Sequence, residues 1–227
     1  MDIRVVITAA GSGSRFGGNL PKQFMKLGTK SILECTIDLF ISCKIFSEII
    51  VVLPCDYVFA KDAVRVVSGK KTRAESVYEG LKVVSLRPFS DETIVLVHDG
   101  VRPFASKKLI NDVVMNASKH GAAIAATRVT DTIKNTHDDL FIRETICRRN
   151  LFKAATPQGF RIGVLLESFK KAEELGYLQY ATDEAYLAEK CGYPVYIVEG
   201  NPENIKITTQ TDMVYAKILL DLEEEHK

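Results

Sequence analysis

The sequence has little net charge, no long apolar run and no regular cysteine spacing. Thirty lysine and arginine residues stand against 29 aspartate and glutamate residues, which gives a net charge of +1 over 227 residues. This balance excludes a broad positive field for nucleic acid or an anionic membrane, so any basic site must be local. No apolar stretch approaches the roughly 18 residues that cross a membrane.

The five cysteines, Cys35, Cys43, Cys55, Cys147 and Cys191, are odd in number and form no C-x-x-C pair. This pattern predicts neither a disulfide framework nor a zinc site, and it is typical of a reducing compartment. The start of the chain has one arginine before a very short apolar run, which is too brief for a signal peptide. We therefore expect a cytoplasmic protein.

Short Val/Ile-rich runs alternate with helical periodicity along the chain. Strand-like runs lie at 4–9, 48–54, 63–67, 93–99, 122–129 and 194–200. Helix candidates lie at 31–42, 73–85, 106–121, 161–175, 182–191 and 211–225, the last capped by Thr211 or Asp212. The strand runs show little polar alternation, which is typical of strands covered on both faces. This order predicts an α/β fold with a doubly wound, mostly parallel sheet that binds ligands at the carboxyl ends of its strands.

Residues 130–153 interrupt this alternation. A turn cluster, Asn135 to Asp139, separates two short extended runs and predicts a hairpin that projects from the sheet. Its few apolar residues cannot form a core alone, so we expect it to pack on another subunit. The predicted organisation is one domain over residues 1–227, with 130–153 as a projecting dimerisation arm.

The first predicted strand runs into a glycine-rich segment, "VVITAAGSGSRFGGNLPKQF", at residues 5–24. Glycines after a strand can bring backbone N–H groups against phosphate oxygens. Three interpretations are open: a tight strand-to-helix turn, a dinucleotide loop, and a nucleoside triphosphate loop with Arg15 and Lys22 as cations. The match to a dinucleotide fingerprint is loose, and no acidic residue ends a second strand about 20 residues later. A P-loop is excluded because no Gly-Lys-Ser/Thr closes the segment.

Further polar residues stand at the ends of predicted elements downstream. Asp99 ends the fourth strand, where a carboxylate either caps a helix or holds Mg²⁺ beside phosphates. Arg73 and Ser76 begin a helix, where anions are favoured. Lys206 interrupts the strand-like run "NIKITT" as a solvated edge residue or a phosphate contact. Because these positions converge on one edge of the predicted sheet, the triphosphate interpretation gains support.

The ordered set "TAAGSGSRFG", "PKQF", "RAESVYEGL", "VHDGVRPF", "DTIK", "ATPQGF", "TDEA" and "NIKIT" resembles the 2-C-methyl-D-erythritol 4-phosphate cytidylyltransferases of the non-mevalonate isoprenoid route. The resemblance runs from residue 3 to about residue 222 and implies a Rossmann-like nucleotidyltransferase fold and a homodimer with arm exchange. It also implies transfer of the cytidylyl group of CTP to 2-C-methyl-D-erythritol 4-phosphate, with Mg²⁺ as the divalent cation. The nearest alternative is ribitol-5-phosphate cytidylyltransferase, which shares "PKQF" and a "VRPF" element.

The resemblance assigns roles to individual residues. The catalytic residues it implies are Arg15, Lys22, Arg148 and Lys206. The nucleotide contacts it implies are Ala9, Ala10, Gly11, Gly13, Arg15, Lys22, Gly69, Arg73, Ser76, Asp99 and Gly100, with Asp99 also the metal ligand. The acceptor contacts it implies are Thr132, Arg148, Thr156, Thr182 and Lys206.

Two departures from the family pattern lie near the nucleotide. Lys70 and Lys71 follow Gly69 where relatives usually have Gly-Gly-Asp or a similar sequence, and Gly100 replaces the usual alanine. The implied reaction joins two anionic substrates, so it needs positioning and cations more than a covalent nucleophile. No general base is required because the acceptor phosphate is already ionised near pH 7. His98 is therefore expected to be a strand residue held by a hydrogen bond.

Two other classes of protein remain as alternatives. An NAD-dependent dehydrogenase with the same sheet would show no dependence on CTP. A non-catalytic nucleotide-binding regulator would bind CTP without converting it. Release of pyrophosphate from a mixture of CTP, Mg²⁺ and methylerythritol phosphate separates all three classes.

Overall fold

The structure, a computed structural model, describes residues 1–11, 20–55, 57, 59–138 and 140–225, with side chains as far as residue 222. Its strands are β1 (Ile3–Thr8), β2 (Lys26–Leu27), β3 (Lys30–Ser31), β4 (Glu48–Leu53), β5 (Arg65–Ser68), β6 (Ile94–Asp99), β7 (Ala122–Arg128), β8 (Ile133–Thr136), β9 (Ile142–Ile146), β10 (Phe152–Arg161) and β11 (Tyr196–Glu199). Its α-helices are α1 (Ile32–Cys43), α2 (Arg73–Val84), α3 (Lys107–His120), α4 (Ile162–Glu174), α5 (Glu184–Lys190) and α6 (Gln210–Glu225).

Seven strands form the central sheet in the order β11-β7-β10-β6-β1-β4-β5. Strand β10 runs antiparallel to both of its neighbours, β6 and β7, and the other neighbouring pairs are parallel. The predicted doubly wound, mostly parallel sheet is therefore confirmed. The sequence did not predict β10 because its buried centre, Thr156 to Gln158, is polar or proline where the other strands are rich in Val and Ile.

Helices cover both faces of the sheet and explain the unbroken apolar runs. In β1, Val5 and Ile7 belong to a cluster with residues of α1 and α3, while Val6 belongs to a second cluster with residues of α2, α4 and α5. All three side chains are fully buried. Because successive side chains of a strand point to opposite faces, a strand between two helical layers needs apolar residues at every position.

Capping boxes fix the starts of α2 and α6. Thr72 Oγ1 accepts from the Glu75 backbone N at 3.1 Å, and the Glu75 carboxylate accepts from the Thr72 backbone N at 2.8 Å. Thr209 and Asp212 make the same pair of bonds before α6, at 3.1 and 2.8 Å. The cap of the terminal helix is thus Thr209, and the predicted cap at Thr211 or Asp212 was wrong, since Asp212 lies at the third helical position.

Strands β8 and β9 form a separate antiparallel pair in which Ile133 faces Ile146. The segment from 130 to 153 is not wholly a hairpin, however, because Phe152 and Lys153 already belong to β10 and pair with β7. Asp139, the last residue of the predicted turn cluster, lies outside the described residues. The run at 204–209 forms no strand and connects β11 to α6.

No helix in the described part of the chain is both long enough and apolar enough to cross a membrane.

Candidate active site

A cavity of about 360 Å³ opens at the carboxyl ends of β1 and β6. Among the residues that line it are eight of the predicted site residues: Ala9, Ala10, Gly11, Lys22, Arg73, Ser76, Asp99 and Lys206. Lys70 and Lys71 also line it, so among the described residues the lining holds five cationic side chains and one carboxylate. A lining with this surplus of positive charge suits a ligand that carries several negative charges.

Asp99 is the centre of the charge network, and only 5% of it is exposed. Its Oδ1 lies 3.3 Å from Arg73 Nε, and its Oδ2 lies 3.1 Å from Arg102 Nε and 3.0 Å from Lys206 Nζ. Burial alone would raise the pKa of this carboxyl, but the three cations hold the pKa far below its ordinary value. Asp99 is therefore ionised at neutral pH.

A second buried acid, Glu184, lies on the far side of Arg73. The two terminal nitrogens of Arg73, Nη1 and Nη2, donate to the two carboxylate oxygens of Glu184 at 2.7 and 3.0 Å. Desolvation would lower the pKa of Arg73, but Glu184 and Asp99 raise it, so the guanidinium stays charged. Glu184 was not among the predicted site residues although it lies in "TDEA", since the family resemblance assigned a role only to Thr182 of that motif.

The backbone of Asp99 is held by residues that do not line the cavity. Its backbone N donates to Thr156 Oγ1 at 3.0 Å, and Asn204 Nδ2 donates to the Thr156 carbonyl at 2.8 Å. Arg102 Nη1 in turn donates to the Asn204 carbonyl at 2.9 Å. Thr156 is almost fully buried, so it contacts Asp99 and does not itself line the cavity.

Gln23 anchors the start of the glycine-rich segment. Its Nε2 donates to the carbonyls of Ala9 at 2.7 Å and Gly11 at 2.9 Å, and the residue is 2% exposed. It belongs to the single 3₁₀ turn Lys22–Phe24, so Lys22 is attached to the same anchor. Gln23 lies in the motif "PKQF" but was not predicted as a site residue, since the family resemblance assigned a role only to the lysine of that motif.

Gly69 allows a close approach of two walls of the cavity. A Cβ atom at this position would lie 2.4 Å from Ala10 Cβ and 2.9 Å from Ser76 Oγ. The Ser76 hydroxyl accepts from the Lys70 backbone N at 2.9 Å and lies 2.8 Å from the Thr72 carbonyl, to which it donates. Gly100 is buried behind Ala9 in the same way, with 3.0 Å from its would-be Cβ to that methyl group.

The structure does not bring every predicted residue to this cavity. Gly13 and Arg15 lie outside the described residues. Thr132, Arg148 and Thr182 are exposed and are not among its lining residues, and Arg148 donates to the backbone carbonyl of Thr130.

His98 has the structural role that the sequence predicted. The residue is fully buried, and its Nε2 lies 3.0 Å from the Arg102 carbonyl oxygen. Because a carbonyl can only accept, Nε2 carries the proton. His98 is thus held in β6 by this hydrogen bond.

Among the described residues, no group of three His, Cys, Asp or Glu side chains could enclose a metal ion. One ionised carboxylate beside a cationic cavity nevertheless fits Mg²⁺, which binds through one or two carboxylates and takes its other ligands from phosphates and water. Asp99 is such a carboxylate. The residues therefore fit a cation that arrives with a nucleotide, and they do not form a protein-only metal site.

A mostly parallel α/β sheet with a cationic cavity at its strand ends is an arrangement in which many proteins bind phosphorylated nucleotides. The model of the family 2-C-methyl-D-erythritol 4-phosphate cytidylyltransferase (IspD) matches residues 3–222, and the chain belongs to this family of nucleotidyltransferases.

Relatives of the same name match over nearly the whole chain. The cytidylyltransferase of Syntrophus aciditrophicus is 37% identical over 230 residues, which cover 96% of each chain, and that of Clostridium acetobutylicum is 39% identical over 227 residues, covering 95% of this chain and 96% of the relative. The crystal structure of the Francisella tularensis enzyme is similar with a TM-score of 0.84 and 33% identity, over 96% of this chain and 99% of the other. These matches favour the methylerythritol enzyme over the ribitol and dehydrogenase alternatives.

Proposed function

We propose that the chain transfers the cytidylyl group of CTP to 2-C-methyl-D-erythritol 4-phosphate in isoprenoid precursor biosynthesis. A phosphate oxygen of the acceptor attacks the α-phosphorus of CTP, and the bond from that phosphorus to the oxygen of the β-phosphate breaks. The products are 4-diphosphocytidyl-2-C-methyl-D-erythritol and pyrophosphate. The observation that carries the proposal is the cavity whose described lining holds five cationic side chains and the Asp99 carboxylate, in a chain of this family. Its cysteine pattern supports a cytoplasmic setting.

Cations rather than a nucleophilic side chain do the catalytic work in this proposal. The two substrates repel each other, and negative charge grows on the bridging and equatorial oxygens in the transition state. Lys22 and Arg15 balance that charge on the CTP side, and Lys206 balances it on the acceptor side. Ala9, Ala10 and Gly11 line the cavity on the side of the nucleotide.

Asp99 is the residue that would hold Mg²⁺. The bound ion supplies positive charge to the phosphate oxygens. Arg73 orients the Asp99 carboxylate through its Nε contact at 3.3 Å. Thr156 fixes the backbone of Asp99 through the 3.0 Å hydrogen bond to its N–H.

The acceptor side of the site is proposed to need a second subunit. Arg148, Thr132 and Thr182 are exposed and away from the cavity, and the hairpin tip exposes Leu140 and Phe141 by 82% and 73%. A pair of large apolar side chains so exposed suits burial against another chain. In a two-fold dimer with exchanged arms, Arg148 of one subunit binds the acceptor phosphate held by the other.

Mixed dimers test this arrangement. Inactive Lys22→Ala and Arg148→Ala subunits are combined under conditions in which dimers re-form, with subunit exchange confirmed by mass. If Arg148 acts across the interface, every mixed dimer holds one intact site. Random pairing makes about half of all dimers mixed, so roughly a quarter of wild-type activity returns. No return of activity means that Arg148 serves its own subunit or neither.

Pyrophosphate release tests the reaction itself. The protein is incubated with Mg²⁺, each of four nucleoside triphosphates and either methylerythritol phosphate or ribitol 5-phosphate. We expect release only with CTP and methylerythritol phosphate. Preference for ribitol 5-phosphate would transfer the chain to the alternative acceptor, and binding of CTP without any release would indicate a regulator.

A further inference from the structure

Glu184 is a buried acid that has no role in the proposed reaction. It is 1% exposed, and both of its carboxylate oxygens accept from the guanidinium of Arg73. A carboxylate so deeply buried is costly to desolvate, and the cost is offset only when the geometry of the ion pair is good. The contact joins residues 111 positions apart in the chain.

The position of Glu184 determines which nitrogen of Arg73 faces Asp99. Glu184 occupies Nη1 and Nη2 at 2.7 and 3.0 Å, so that only Nε faces Asp99, at 3.3 Å. Arginine binds a carboxylate most strongly with two parallel N–H donors. Arg73 gives this strong mode to Glu184 and a weaker single contact to Asp99.

Two hydrogen bonds from Gln158 hold the start of α5, and with it Glu184, in place. Gln158 Nε2 donates to Asp183 Oδ2 at 3.0 Å, and its Oε1 accepts from the Ala185 backbone N at 3.1 Å. Gln158 is 1% exposed and lies on β10. The sequence segments "ATPQGF" and "TDEA" therefore join at the two residues that flank Glu184.

We propose that Glu184 is a positioning residue that draws the fork of Arg73 away from Asp99 and so keeps the Asp99 carboxylate available to the divalent cation of the nucleotide. The inference rests on the proposed function. With Glu184 present, the cluster of Arg73, Arg102, Lys206, Asp99 and Glu184 carries a surplus of one positive charge. Without the Glu184 charge the surplus is two, and the fork of Arg73 has only Asp99 as a carboxylate partner in the cluster.

The variant Glu184→Gln separates this role from a purely structural one. We measure the affinity for CTP in EDTA by calorimetry, and the affinity for Mn²⁺ in the presence of CTP by electron paramagnetic resonance. The proposal predicts that CTP binds in EDTA as tightly as to the wild type or more tightly, because one negative charge is gone. It also predicts that Mn²⁺ binds about tenfold more weakly, the size typical of lost support for a metal ligand.

A purely structural role predicts a different result, in which CTP and Mn²⁺ affinities fall together. That outcome, or unchanged Mn²⁺ affinity, would overturn the proposal. The matched control is Glu189→Gln, which removes the same charge from an exposed position on α5 and should leave both affinities unchanged. If the wild-type protein fails to bind CTP at all, the proposed function fails before this inference is reached.

Glu184→Asp keeps the proposal testable if Glu184→Gln does not fold. Aspartate retains the charge but is one methylene shorter, so it cannot reach both terminal nitrogens of Arg73 at the present distances. We again expect the two affinities to respond differently, but by less. The Mn²⁺ affinity should be about threefold weaker, and the CTP affinity in EDTA should be unchanged. A folded Glu184→Asp protein with wild-type Mn²⁺ affinity would contradict the proposal.

Discussion

Two well-paired arginines at opposite ends of the sheet, one buried and one half-buried, have different surroundings. Arg4, at the amino end of β1, is 2% exposed, and the protein accepts from all three of its nitrogens. Its Nε and Nη2 donate to Asp2 Oδ2 at 2.9 and 2.6 Å, and its Nη1 and Nη2 donate to the carbonyls of Val84 and Pro88 at 2.6 and 2.5 Å. Every nitrogen of Arg4 therefore already has an acceptor within the protein.

Arg73 has equally good contacts, but its partners are shared. Asp99 also contacts Arg102 and Lys206 at 3.1 and 3.0 Å, so the cations at this end outnumber the carboxylates. The comparison shows that pairing alone does not distinguish a structural arginine from one in a site. The distinguishing property is the charge that remains after all partners are counted.

The largest expected effect comes from removing a cation from the cavity at the carboxyl ends of the strands. Lys22→Ala should lower kcat by roughly 10²–10³-fold, because an electrostatic donor to the transition state is lost. The proof that the protein is folded is an unchanged thermal midpoint. Lys26→Ala is the matched control, since Lys26 is exposed and donates to the Thr29 carbonyl. Near-normal turnover of folded Lys22→Ala would refute a catalytic role for this lysine.

At the amino ends of the strands we expect a loss of stability and no loss of activity. Arg4→Met should lower the free energy of unfolding by about 3 kcal/mol, because three backbone carbonyls, those of Val84, Arg87 and Pro88, lose their donor and Asp2 loses its cation. The KM values should not change. Urea unfolding measures the first quantity, and Arg65→Met is the control, since Arg65 is half exposed and lies 3.7 Å from Glu48. A loss of activity without a loss of stability would reverse the comparison.

His98 allows a prediction of how the stability of the protein depends on pH. Burial lowers its pKa to about 4 from an ordinary value of 6.5, and this effect outweighs the opposing effects of the hydrogen bond to the Arg102 carbonyl and of the Asp99 charge. Between these two values the unfolded chain binds a proton that the folded chain does not, so stability falls as the pH falls. The expected contribution is about 2–3 kcal/mol between pH 6.5 and 4.

The variant His98→Gln tests this contribution, since its amide can still donate to the Arg102 carbonyl. Unfolding in urea at several pH values should show a flatter dependence for the variant by about one proton. An equal slope in both proteins would show that other groups produce the acid sensitivity.

The smallest effect is expected at Gln23. Gln23→Glu has the same shape but cannot donate to the carbonyls of Ala9 and Gly11, so the start of the glycine-rich segment loses its anchor. The KM for CTP should rise about tenfold while the KM for the acceptor stays constant. Gln179→Glu makes the same charge change at an exposed position and serves as the control. An equal rise in both KM values would indicate a general loss of structure.

The sequence predicted the fold well where the strands are unbroken apolar runs. Six of the central strands are rich in apolar residues and were expected, whereas β10 was not, because Thr156 and Gln158 are buried for their hydrogen bonds rather than for their hydrophobicity. Lys22 and Asp99 could be predicted from motifs. The roles of Gln23 and Glu184 could not, because they consist of contacts to residues distant in the chain.

The hairpin of β8 and β9 is inserted between two neighbouring strands of the sheet, β7 and β10. Phe152 lies directly opposite Arg128, and the Val129 backbone N donates to the Leu151 carbonyl at 3.1 Å, so residues 129–151 begin and end at neighbouring points. They are an insertion at the turn of a continuous β7–β10 hairpin. A short turn could replace them without altering the path of either strand. The part of the chain that is proposed to join subunits is therefore a module, which can vary in length and sequence while the sheet and its cationic cavity stay the same.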